Sequence, residues 1–195
     1  MAGACRALQV DAAVAGELGC FLNDQSNRSP ETNILVIGGR KYPGYTEYSE
    51  VGAAKLVPAE QEMVTSQIRA EDISHVEQHV PGLKSLIDAV CEQLQCSRRR
   101  IQLIHFLWQW SEQCQFDWHC DDDDLASFSA SMVTVVVNCG VGLSGVKMWG
   151  FEHVFPFIGK GCACAFPGGA THRTVMGPNT DSTSRDVVKV AFFLM

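Results

Sequence analysis

The feature that most limits the fold is the texture of the chain from Ile101 to Met195, a succession of short apolar, β-branched runs cut by glycine turns. IQLIHFLWQW (101–110) is long and aromatic, FDWHCD (116–121) follows a polar turn, and SMVTVVVNC (131–139) is dense in valine. VKMWGF (146–151), HVFPFI (153–158), CACAFPGGATHRTV (162–175) and VVKVAFFLM (187–195) complete the series, punctuated by Gly140, Gly142, Gly145, Gly159 and Gly161. Branched and aromatic side chains suit a pleated, half-buried surface. About seven such segments at near-regular spacing predict a β-sandwich or jelly roll.

The first hundred residues are mixed. NILVIGG (33–39) reads as a strand closed by glycines, and the residues from about Ala59 to Arg69 as a short helix. Leu83, Leu86, Ile87, Val90 and Leu94 recur as one helical stripe, which should end near Cys96 to Arg100. There the cations of Arg98-Arg99-Arg100 suit the negative end of the helix dipole. The expected class is therefore α+β and mostly β. Residues 101–195 form the jelly-roll core, and residues 1–100 are a helical and mixed extension packed on one sheet, the whole making a single structural unit.

Composition enters where partners and compartment are at issue. Hydrophobic residues are 46% of the chain and charged residues 19%, enough apolar material for a real core. A formal net charge of −7 argues against a surface built for nucleic acid or an anionic membrane. Nine cysteines without a C-x-x-C spacing read as free thiols, which suits a reducing compartment. The N-terminal stretch is broken by Arg6, Asp11 and Glu17, unlike a signal peptide. No run approaches the ~18 apolar residues of a membrane span. The expectation is a soluble intracellular protein, in cytoplasm or nucleus.

FDWHCDDDD (116–124) carries the chemistry. Residues two apart on a strand share a face, so His119 and Asp121 project together while Cys120 turns away. They supply an imidazole nitrogen and a carboxylate oxygen, two of the three ligands of a 2-His-1-carboxylate iron triad. Asp122, Asp123 and Asp124 read as a solvated loop. The spaced oxygens and central glycine of a calcium loop are missing. A third ligand must come from a later strand, where His153 and His172 remain. His172 is favoured because FPGGAT precedes it, with glycines that let the backbone bend.

Strand, H-x-D, several strands, histidine, then a basic residue opening a last strand is an order that resembles the 2-oxoglutarate- and iron(II)-dependent dioxygenases. In layout it resembles their prolyl-hydroxylase-like branch. The resemblance runs through IQLIHFLWQW…FDWHCD, VVVNCGVGLSGVKMWGF, GKGCACAFPGGATHRTV and SRDVVKVAFFL, about half the chain. Two departures stand out: Ser144-Gly145 replaces a glycine pair, and the strand before H-x-D offers His105, Trp108 and Trp110 but no tyrosine.

The resemblance implies a double-stranded β-helix with iron(II) held by His119, Asp121 and His172. It implies Arg185 as the cation for the outer carboxylate of 2-oxoglutarate, with Lys189 as runner-up on the same face, and Arg173 turned to the opposite face. Thr134 and Asn138 are weaker candidates for the pocket wall. The four tryptophans are candidates for its rim, each with core packing as the commoner role. The implied activity is oxidative decarboxylation of 2-oxoglutarate by O2, with ascorbate as an accessory reductant, coupled to hydroxylation of a substrate. A protein side chain is the favoured substrate, a nucleobase or small molecule the alternative. Two further readings stay open. One is a non-catalytic jelly-roll binding module that keeps a metal site. The other is a cupin-like metalloenzyme without 2-oxoglutarate, its ligands drawn from His119, His153 and His172.

Overall fold

The computed structural model describes residues 5–29, 34–42, 63–109, 118, 120–121, 132–140, 144–150, 154–157, 159–176 and 187–195. Among these, eleven strands run in chain order: β1 (Arg6–Gln9), β2 (Leu35–Ile37), β3 (Arg40–Tyr42), β4 (Met63–Arg69), β5 (Ile101–Gln109), β6 (Val133–Asn138), β7 (Ser144–Met148), β8 (Val154–Phe157), β9 (Cys162–Pro167), β10 (His172–Met176) and β11 (Val187–Leu194). Three α-helices accompany them: α1 (Ala12–Asn23), α2 (Ile73–Glu77) and α3 (Leu83–Leu94).

The large sheet has the order β1-β9-β6-β11-β5-β4, and β10-β7-β8 forms a small sheet. The large sheet draws strands from both sides of residue 100, since β1 pairs with β9 and β4 with β5. All ladders named here are antiparallel. Alternate residues then build two separate cores. Leu8, Ile68, Ile104, Phe106, Val135, Val137, Ala163, Ala165, Val188, Val190 and Phe192 face the helices, packing on Leu18, Leu22, Leu83, Leu86, Ile87 and Val90. Leu103, Leu107, Val136, Cys164, Phe166, Ala191 and Phe193 face the other way, against Val146 and Met148 of β7. The result is a mostly β molecule with helices on one face of its larger sheet, as its sequence predicts.

Local chemistry fixes the helix ends. The Asp11 carboxylate accepts from the amides of Ala13 and Val14 and caps α1. The last turn of α3 closes with Cys96 N–H bonding Cys91 O and Gln95 N–H bonding Glu92 O, Gln95 taking the left-handed conformation at φ 52°. Gly19 must be glycine: a Cβ there would sit 2.1 Å from the carbonyl oxygen of Cys139, so α1 lies directly on the end of β6.

Three sequence expectations are corrected. Residues 63–69, read as part of a helix over 59–69, are strand β4, paired in register with β5 from Met63↔Gln109 to Arg69↔Leu103. The helix formers before Met63 suggested a helix, but Val64, Thr65 and Ile68 are branched, and Ile68 and Ser66 bury completely when this segment extends. The sequence predicts a strand over residues 116–121. The described ones, Trp118, Cys120 and Asp121, lie outside any strand, with Asp121 in a turn. The long segment 162–175 is two strands, β9 and β10, separated by the Gly168–Gly169 turn.

Candidate metal centre

Asp121 is fixed by its backbone before its side chain acts. Its N–H donates to Gly168 O (3.0 Å), and Gly168 N–H donates to Met132 O (2.9 Å), so the turn after β9 ties Asp121 to the start of β6. The carboxylate, 5% exposed, then takes two directions. Oδ2 accepts a hydrogen bond from Thr134 Oγ1 (2.5 Å), and Oδ1 lies 3.6 Å from Nε2 of His172. His172 opens β10 and is also 5% exposed. Its Nδ1 hydrogen-bonds Ala170 O (2.9 Å), and its ring packs on Phe166 at 4.5 Å between centroids.

A carbonyl can only accept, so the Ala170 contact places a proton on Nδ1 and turns Nε2 toward Oδ1, where the neutral imidazole presents its lone pair. Two acceptors facing one another out of water repel unless a proton or a cation lies between them. The imidazole is oriented by a backbone carbonyl and the carboxylate by a hydroxyl, the outer-shell pattern of metal-binding side chains. The donor set therefore fits a divalent transition metal. Among the described residues these two are the convergent donors, and no group of three is found. His119, Arg185, His153 and the aspartates 122–124 lie outside the described residues. Cys120 Sγ lies 3.3 Å from Thr171 Oγ1.

The inward residues of the large sheet are ordered along the barrel. Thr134, opposite Phe193 on one side and Phe166 on the other, lies at the metal end. Val136 follows, in line with Ala191 and Cys164, and His105 lies opposite Ala191 on β5. Asn138 comes last, opposite Lys189, with Leu107 beyond. Asn138 closes this far end, its amide donating to Gly159 O (3.1 Å) and its oxygen accepting from Gly140 N (3.1 Å). Lys189 is only 2% exposed, and burial pushes its pKa down to about 7. His105, packed edge-on against Phe193 at 4.9 Å, is held by burial at a pKa of about 3 and so is neutral.

Thr134 was a weak candidate in the sequence and is a direct partner of Asp121. H-x-D motifs carry no mark of which hydroxyl lies across the barrel, so only the register reveals it. The tryptophans divide. Trp149 is 65% exposed rather than core, and Trp118 meets it edge-on at 5.0 Å. Arg173 points away from His172, as expected, with its guanidinium 4.9 Å from the Trp118 ring centre.

No protein-family model and no curated protein matches the sequence. Solved structures do match in three dimensions. A prolyl-4-hydroxylase from Pseudomonas putida aligns over 97% of this chain and 91% of its own, at 13% identity and a TM-score of 0.50. A full-length thymine hydroxylase from Neurospora crassa, solved in complex with alpha-KG, aligns over 97% of this chain and 74% of its own, at 13% identity and a TM-score of 0.53. The fold is a double-stranded β-helix. In this double-stranded β-helix, Asp121 and His172 meet at one end of the barrel interior and Lys189 lies toward the other. None of the described helices is long and apolar enough to cross a membrane.

Proposed function

We propose that the protein is an iron(II)- and 2-oxoglutarate-dependent dioxygenase that hydroxylates a protein side chain. The observation that carries the reading is the buried pairing of Asp121 Oδ1 with His172 Nε2, each oriented by its own hydrogen bond, inside a β-helix of the kind these oxygenases use. His119 completes the ligand set. Bound iron supplies activation of O2 and a coordination site for the keto-acid end of the co-substrate.

Lys189 is the better-supported partner for the outer carboxylate, with Arg185 as the alternative. Four residues separate Thr134 from Asn138, about 14 Å of strand at ~3.4 Å per residue. Between those levels the wall is made of small side chains, Val136, Ala191 and Cys164, with neutral His105 beside them. A small dicarboxylate lying along this wall would have one end at the metal and the other at Lys189. Burial disfavours the charged amine, and a bound carboxylate restores it. Thr134 holds the Asp121 carboxylate in place, and Asn138 seals the far end against water.

The favoured substrate class, a protein side chain, follows from the sequence's resemblance to the prolyl-hydroxylase-like branch and from the net charge of −7, which is unsuited to nucleic acid. The test is iron-dependent conversion of 2-oxoglutarate to succinate by wild type, His172→Ala and Lys189→Met. Turnover lost in the first variant and needing far more 2-oxoglutarate in the second is the expected result. Equal turnover in all three would refute the assignment.

A further inference from the structure

β7 and β10 present metal chemistry on one face and something different on the other. Met148 and His172, paired across the ladder, point inward, while the next pair, Lys147 and Arg173, points outward. Two cations directly opposed on one sheet face repel. The chain has an excess of carboxylates, yet among the described residues neither cation forms an ion pair. Arg173 is held by its stacking on Trp118, and its Nε is buried without a hydrogen-bond partner among the described residues. Beside it stands Trp149, which with Met195 is one of two exposed large hydrophobic residues described. Trp149 does not hang loose: its N–H bonds Thr171 O (2.9 Å) and its ring meets Trp118. Two cations and an exposed indole are thus held ready at the same end of the small sheet as His172.

We propose that this face, Trp118, Lys147, Trp149 and Arg173, is a docking site for an acidic segment of a partner polypeptide. Its carboxylates pair with Lys147 and Arg173, and a ring-bearing or apolar residue covers Trp149. The proposal deepens the protein-substrate reading above and rests on it. Charge complementarity decides the occupant: among the described residues these cations lack carboxylates, in an otherwise acidic molecule. A single-stranded nucleic acid, which also stacks on tryptophan, needs a basic groove that follows several phosphates, and one pair of cations in a −7 chain is not that. Docking beside His172 would raise the local concentration of a linked side chain at the barrel mouth.

The experiment measures binding to metal-free protein by tryptophan emission and calorimetry, with three probes of equal length. These are a peptide of alternating glutamate and proline, its glutamine counterpart, and an oligothymidylate. The glutamate peptide is expected to bind most tightly and to weaken at high salt. Trp149→Ala and Lys147→Glu should each weaken it about tenfold or more while keeping the wild-type melting temperature. The docking site is overturned if the glutamine peptide binds equally well, if neither variant changes affinity, if the oligothymidylate binds more tightly, or if nothing binds. Because the probes need no iron, loss of 2-oxoglutarate turnover with peptide binding intact would sink the enzymatic reading alone.

Discussion

The two faces of the large sheet are made from alternate residues of the same strands, yet their contents differ. Toward the helices, β11 presents Val188, Val190 and Phe192, each fully buried. Toward the barrel it presents Lys189, Ala191 and Phe193, in company with His105, Thr134 and Asn138 from the flanking strands. One face is apolar packing that supplies stability. The other spends stability on buried polar groups, which under the proposed function orient a metal and a charged co-substrate.

Adjacent substitutions on β11 break the comparison most sharply. Phe192→Ala should destabilise by about 3–5 kcal/mol, because a large cavity opens under the helices, and a chemical denaturation curve measures it. Lys189→Met should act in the opposite direction at neutral pH, raising stability by ~1–4 kcal/mol, because burial that holds the amine at a pKa of about 7 carries a desolvation cost that methionine lacks. A Lys189→Met variant less stable than wild type would mean that the amine is part of the scaffold.

The same lysine gives a pH signature. Its folded pKa of about 7 lies below the ordinary 10.5, burial being the main cause, so the unfolded chain binds more protons between those values. Stability of the ligand-free protein should therefore rise from about pH 7 to about pH 9, and the rise should vanish in Lys189→Met. Binding of 2-oxoglutarate near pH 7.5 should take up protons, which calorimetry in buffers of different ionisation enthalpy detects. His105 works at lower pH. With its folded pKa held by burial at about 3 against 6.5 unfolded, it should cost roughly 2 kcal/mol of stability by pH 5, and His105→Phe should remove that loss.

Thr134→Val is the smallest change and the finest probe of the polar face. It keeps the shape of the side chain and removes the donor to Asp121 Oδ2. Metal affinity should fall about 10–100-fold, read by cobalt(II) titration, with the fold intact. Unchanged affinity would show that the carboxylate needs no such support.

Much of the barrel was legible because valine-rich runs and glycine turns are local signals, as at 133–138 and 187–194. What escaped depended on distant partners. The sequence at β4 points to a helix because helix-forming residues precede it, whereas its extended state is set by pairing with β5. α1 gave little signal since AAVAGELGCFLN carries two glycines, one of them required by the Cys139 carbonyl. Asp121 was readable from H-x-D and His172 from the order of elements, and the structure brings those two together; His119 lies outside the described residues. Choosing between Arg185 and Lys189 needs the register of β11, which spacing from His172 cannot supply. Trp149 looked like core for the same reason: a strand residue and a turn residue read alike until the turn is seen.

The most direct test of the central claim is anaerobic titration of the iron(II) protein with 2-oxoglutarate, following the weak visible charge-transfer band. Wild type should develop the band, His172→Ala should not, and Lys189→Met should require a much higher 2-oxoglutarate concentration. Folded, iron-loaded wild type that never develops the band would contradict the co-substrate site. A Lys189→Met protein that titrates like wild type would contradict the role given to the barrel's buried lysine.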